Sequence, residues 1–150
     1  MALLNIRTYP DPVLKRMSGP VSSVEENIRR ILQDMAETMY ANQGVGLAAP
    51  QIGENLRLIV VDVGQAEQEG ELLKLINPRI TQKAGTKKGE EGCLSLPGLV
   101  VELDRAEQVT VEAVTPDGKE TRIEAEGLLS VALQHEIDHL DGVLLVDRLS

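Results

Sequence analysis

Apolar residues recur at helical spacing through Val24, Ile28, Ile31, Leu32, Met35 and Met39, which predicts an amphipathic helix with one face against a core. Ser22 and Ser23 each have a glutamate three residues on (Glu25, Glu26), so either could close a capping box at its start, and Gly44 is placed to end it. Ahead of it, Ile6-Arg7-Thr8-Tyr9-Pro10-Asp11-Pro12 is expected to be non-helical, because the residue before each proline is pushed to extended geometry. The apolar run in Arg57 to Val63 predicts a short strand buried on both faces. Glu67 to Glu71 reads as a polar loop, and Leu72 to Ile76 as another strand, stopped by Asn77-Pro78. Val109, Val111 and Ala113 alternate, Pro116-Asp117-Gly118-Lys119 turns the chain, and Ile123 and Ala125 alternate again, which predicts a β-hairpin. Leu128 to Leu140 is expected to form a second helix, with Gly142 just past its end. Strands followed by a helix in this order predict an α+β fold rather than a doubly wound sheet.

Composition narrows the picture. At 150 residues the chain is expected to be a single domain. With two tyrosines and no Phe or Trp, its core must be aliphatic. A net charge of -9, with the basic residues scattered, argues against a nucleic-acid or anionic-membrane surface. One cysteine excludes an intrachain disulfide, no apolar run is long enough to span a membrane, and Met1 to Arg7 lacks a secretory pattern. A cytoplasmic location is expected.

The chemistry centres on Gln134-His135-Glu136-Ile137-Asp138-His139. Residues four apart lie on one helix face, so His135 and His139 can reach one metal ion while Glu136 stands beside a bound water. These are the only two histidines in the chain. A catalytic site usually has three protein ligands and one open position. The long metalloprotease motif would supply a third histidine, but Leu145 occupies that place, and no glutamate follows His139. The favoured third ligand is Cys93, in Glu90-Glu91-Gly92-Cys93-Leu94-Ser95-Leu96-Pro97-Gly98; the alternative is a small buried hydrophobe. A further run, Gly44-Val45-Gly46-Leu47-Ala48-Ala49-Pro50-Gln51-Ile52-Gly53, lacks the lysine of a phosphate loop. It reads either as a helix end with a tight turn or as a substrate-channel wall whose Gln51 amide can donate to a polarised oxygen.

Together, Gly44-Val45-Gly46-Leu47-Ala48-Ala49-Pro50-Gln51, Glu91-Gly92-Cys93-Leu94-Ser95 and Gln134-His135-Glu136-Ile137-Asp138-His139 resemble the three signatures of the peptide deformylases in order and spacing. The resemblance extends to Tyr9-Pro10-Asp11-Pro12 and Arg105. It implies antiparallel β-sheets packed around a central metal-binding helix, and hydrolysis of the formyl group from the N-terminal formyl-methionine of new proteins. By matching position, Cys93, His135 and His139 would hold the metal, Fe2+ with Zn2+, Ni2+ or Co2+ as substitutes. Glu136 would be the general acid/base, Gln51 and the Leu94 N–H would stabilise the oxyanion, and Gly46 would pair with the substrate backbone.

The methionine side chain calls for an apolar slot. Leu128, Val131 and Ala132, which precede His135 on its helix, are candidates, with core packing as the alternative. Many family members continue past the positions matching Asp147-Arg148-Leu149-Ser150 into a helix that meets the ribosome; this sequence stops there, which leaves docking open and the reaction expected. The rival readings are an H-E-x-x-H metallopeptidase, a binding module with a structural metal, and a catalytically silent paralogue.

Overall fold

The computed structural model describes residues 3–64 and 71–148. In chain order they form helix α1 (Glu26–Ala41), strands β1 (Gly46–Ala48), β2 (Leu58–Val61), β3 (Leu73–Ala84), β4 (Lys87–Cys93), β5 (Leu96–Arg105), β6 (Gln108–Val114) and β7 (Glu120–Glu126), and helix α2 (Gly127–Leu140). Short 3-10 turns stand at Pro12–Lys15, Ala49–Ile52 and Leu145–Arg148. Every strand pairing is antiparallel: β1-β2-β3-β6-β7 make one sheet and β4-β5 a separate hairpin. The fold is α+β, as expected.

Strand β2 is buried on both faces. Leu58 and Val60 join Leu32, Met35 and Met39 of α1 in one apolar cluster, while Ile59 and Val61 join Leu133, Ile137 and Leu140 of α2 in another. The sheet therefore lies between the two helices, and α2 is enclosed by it. The β6–β7 hairpin has the expected facing pairs, with Val109 opposite Ala125 and Val111 opposite Ile123.

Three local expectations are corrected. Neither Ser22 nor Ser23 caps α1: the cap residue is Glu25, and the Ser23 hydroxyl donates to the Glu25 carboxylate at 3.1 Å instead. The helix ends through Gln43, whose positive φ of 58° lets its N–H and that of Gly44 reach the carbonyls of Tyr40 and Met39. Strand β3 does not stop at Asn77-Pro78. The Asn77 side chain bonds both the N–H and the carbonyl of Val21 at 2.8 Å, and pairing with β6 resumes at Arg79 after a register shift. Proline is tolerated there because the bulge asks nothing of its missing N–H. The β4–β5 hairpin has no forerunner in the apolar pattern, and the strand expected from Arg57 to Val63 is confined to β2. Residues 65–70 of the expected polar loop lie outside the described residues. Pro12 opens a 3-10 turn whose Asp11 carboxylate accepts from the Val13 N–H at 3.0 Å.

The end of α2 is closely held. The Arg57 guanidinium donates to the Leu140 carbonyl at 3.1 Å and to Asp141 at 3.0 Å, placing a cation at the negative end of the helix. Gly142 follows with φ +75°; its N–H bonds the His139 carbonyl and the Val143 N–H bonds that of Asp138. A Cβ at Gly142 would lie 2.5 Å from the Lys15 carbonyl oxygen. Gly142→Ala therefore meets both a left-handed backbone and a backbone clash, and chemical denaturation should show a loss of about 2 kcal/mol or more. Unchanged stability would mean that this tight ending does not hold the helix.

Candidate active site

Helix α2 carries polar groups where a central helix would ordinarily be apolar. His135 is 9% exposed, Glu136 4% and His139 1%. Cys93 ends β4, where the hairpin turns through Leu94-Ser95, and this brings the thiol over the helix. Its Sγ lies 3.3 Å from His139 Nε2, and one ligand atom each from Cys93, His135 and His139 lie within 4.8 Å of one another. Ligands about 2.3 and 2.05 Å from a shared tetrahedral ion stand about 3.5 Å apart, so the spacing fits a metal. The donor set fits too, since thiolate and imidazole suit zinc and first-row transition ions.

The surrounding groups orient that cluster. His135 Nδ1 meets Glu91 Oε1 at 3.0 Å, which leaves Nε2 to face the thiol. Glu91 in turn takes two bonds from Arg105, at 2.8 and 2.9 Å, and Arg105 reaches Asp138 at 2.7 Å. Arg148 grips the same Asp138 with bonds of 2.8 and 2.7 Å. Burial works against the Glu91 charge, yet the bonds from His135 and Arg105 outweigh it and hold the carboxyl at about 2. Gln134 fixes the rotation of the helix: its amide exchanges bonds of 3.0 and 2.9 Å with the N–H and carbonyl of Ala106.

The surroundings push the two imidazoles in opposite directions. Burial opposes charge on His135, but Glu136, Cys93 and Glu91 overcome it and raise the imidazole to about 10. Burial and the neighbouring His135 and Arg105 push His139 down to about 3. Glu136 is raised to about 7, mainly by burial, and its Oε1 has no hydrogen-bond partner among the described residues.

A cleft of about 580 Å³ opens onto this cluster. One wall comes from Gly44 to Gly46 and Gln51, the opposite wall from Glu90 to Leu94 and Leu96 to Val100, and the third from Leu128, Val131, Ala132, His135 and Glu136. Gln51 is held rigidly: its Oε1 accepts from the Ala48 N–H at 2.9 Å, and its Nε2 faces Ser95 Oγ at 3.1 Å and Cys93 Sγ at 3.6 Å.

The polypeptide deformylase family model matches residues 3–150. The chain belongs to that family. A peptide deformylase of Thermodesulfovibrio yellowstonii is 52% identical over 150 residues, covering 100% of this chain and 91% of that protein. The crystal structure of a peptide deformylase from Legionella pneumophila superposes with a TM-score of 0.94 at 46% identity, covering 99% of this chain and 87% of the other. One from Ehrlichia chaffeensis, in complex with actinonin, gives 0.96 at 40% identity, covering 100% and 90%. Deformylases are metal-dependent hydrolases that remove the N-formyl group from nascent peptides, and this chain is such an enzyme. The reading of the site as a peptidase or a silent paralogue gives way to that assignment.

Every site residue expected from the sequence lies at this cleft or on its floor. Cys93, His135 and Glu136 line it with Gln51, Leu94, Gly46, Leu128, Val131 and Ala132, and His139 stands beneath, against the thiol. Glu91, Gln134 and Asp138 fall within the signatures and Arg105 ten residues past the second, but spacing alone assigns them no part in the site. An acidic residue two positions before a ligand thiol and a lone arginine ahead of a hairpin were the available signals. Gly46 also leaves room for the carboxylate: a Cβ there would lie 2.5 Å from Glu136 Oε2 and 2.9 Å from its Cδ. Gly46→Ala should turn the carboxylate aside and lower kcat by roughly 10²-fold, while circular dichroism and metal content stay normal. A kcat within about twofold of the parent would show that Glu136 does not depend on this contact.

Proposed function

We propose that Cys93, His135 and His139 hold one Fe2+ per chain, replaceable by Zn2+, Ni2+ or Co2+, and that Glu136 is the general acid and base of deformylation. The observation that carries this reading is the convergence of thiol and imidazoles on one point, beside a buried carboxylate with an unpartnered oxygen. Ferrous iron rests on the family resemblance and is compatible with the thiolate and imidazole donors.

Bound there, a divalent ion would lower the pKa of its water towards about 7 and would polarise the formyl oxygen. Glu136 takes a proton from the attacking water, whose oxygen bonds to the formyl carbon. Negative charge then gathers on the former carbonyl oxygen, where the Gln51 amide and the Leu94 N–H donate to it. As the C–N bond breaks, Glu136 returns the proton to the departing amine, and formate is released. A carboxyl near neutrality serves both transfers, and burial brings Glu136 there.

Substrate binding follows from the walls. Strand β1 is at the edge of its sheet, paired with β2 on one side only, and Gly46 lines the cleft, so an extended peptide can add along that edge. Leu128, Val131 and Ala132 form an apolar wall suited to the unbranched methionine side chain. The substrates are N-formylmethionyl peptides met as nascent chains leave the ribosome, in the cytoplasm, with chain 1–150 acting as one catalytic domain. No helix among the described residues is long and apolar enough to cross a membrane.

The test is formate release from a formyl-Met-Ala peptide after loading with iron, nickel or zinc in turn, with the unformylated peptide as control. Activity should require the ion and the formyl group. Glu136→Gln should retain metal and lose roughly 10²-fold or more in kcat. A metal-loaded Glu136→Gln variant with near-normal turnover would remove Glu136 from the role.

A further inference from the structure

The segment ahead of α1 takes no part in metal binding, yet its backbone reaches both sides of the oxyanion site. The Arg7 N–H donates to the Gln51 carbonyl at 2.6 Å, and the Tyr9 N–H donates to the Ser95 carbonyl at 2.8 Å. Across from this strap, Gln51 Nε2 donates to Ser95 Oγ at 3.1 Å. Only Thr8 separates the two strap donors, so the three bonds close a small ring through Arg7, Gln51, Ser95 and Tyr9. Thr8 is exposed, whereas Gln51 and Ser95 are 1% and 0% exposed.

The two parts bridged by the strap have no strand pairing between them. Gln51 follows β1 of the five-stranded sheet, and Ser95 stands at the turn of the separate β4–β5 hairpin. An oxyanion site works only when its donors keep their spacing before charge develops, and a shift of about 1 Å can cost about 10²-fold in rate. The Gln51 side chain reaches the hairpin through one atom, Nε2, which meets Ser95 Oγ at 3.1 Å and Cys93 Sγ at 3.6 Å. Two backbone bonds to a three-residue strap add a second, independent tie on the outer side.

We infer that the backbone of Arg7 to Tyr9 is a positioning element that holds the Gln51 amide and the Leu94–Ser95 turn at the separation deformylation requires. This rests on the assignment of Gln51 and the Leu94 N–H as oxyanion donors. The strap residues act through those groups and do not touch the reacting atoms.

The decisive comparison is Arg7→Pro against Arg7→Ala in the metal-loaded enzyme. Both remove the guanidinium, but only proline removes the N–H that binds Gln51. Relative to Arg7→Ala, the proline variant should lose roughly tenfold in kcat with KM within about twofold, at unchanged metal content. Combined with Gln51→Ala, it should cost no more than Gln51→Ala alone. Equal kcat in the two Arg7 variants, or losses that multiply with Gln51→Ala, would overturn the inference. A Gln51→Ala enzyme with full kcat would instead sink the oxyanion assignment, and the inference with it. If thermal melting shows Arg7→Pro to be unfolded, Thr8→Gly decides: it keeps both N–H donors but loosens the strap. It should lower kcat roughly threefold at constant KM, and unchanged kcat would overturn the inference.

Discussion

A thiol, two imidazoles and a carboxylate share one largely buried pocket, and the rest of the structure answers the cost of putting them there. Polar groups taken out of water must find partners or a cation. The sheet and its two helices supply the apolar surroundings, with β2 buried on both faces between them. Glu91, Arg105 and Asp138 supply the partners, linking β4, β5 and α2 through charge-assisted bonds of 2.7 to 2.9 Å. Removing one member of such a chain leaves another charge buried alone, which is why it reads as one unit rather than a set of separate salt bridges.

Division of labour follows from geometry. The hairpin turn delivers the thiol, one turn of helix delivers both imidazoles, and β1 comes close enough to leave no room for a Cβ beside Glu136. Each wall of the cleft thus belongs to a different element, and each is fixed by bonds that do not involve the ligands themselves. Gln134 sets the rotation of α2 through Ala106, and Arg57 with Gly142 sets where it stops. A site assembled in this way can keep its spacing while substrate enters and formate leaves.

Much of this is legible in the chain. The spacing of His135 and His139 places them on one helix face whatever the fold, and the alternation of Val109, Val111 and Ala113 specifies a hairpin face. The uninterrupted apolar run around Ile59 and Val60 signals burial on both sides. Other features depend on tertiary partners that periodicity does not contain. Asn77-Pro78 reads as a stop, but the Asn77 side chain borrows Val21 as its partner and the strand resumes. Lys87 to Cys93 is mostly charged residues and glycine and carries no alternating pattern, so β4 is visible only once β5 lies beside it. Glu91 and Arg105 are ordinary surface residue types by composition; the burial of Glu91 against His135, and of Arg105 against Glu91, gives them meaning.

The account stands on the thiol and both imidazoles sharing one ion. X-ray absorption on the purified enzyme loaded with a single equivalent of zinc measures that directly. The expected spectrum has one sulfur scatterer at about 2.3 Å and two imidazole nitrogens at about 2.0–2.1 Å, with a lighter oxygen in the remaining position. A first shell lacking sulfur, or holding only one imidazole, would contradict the central claim.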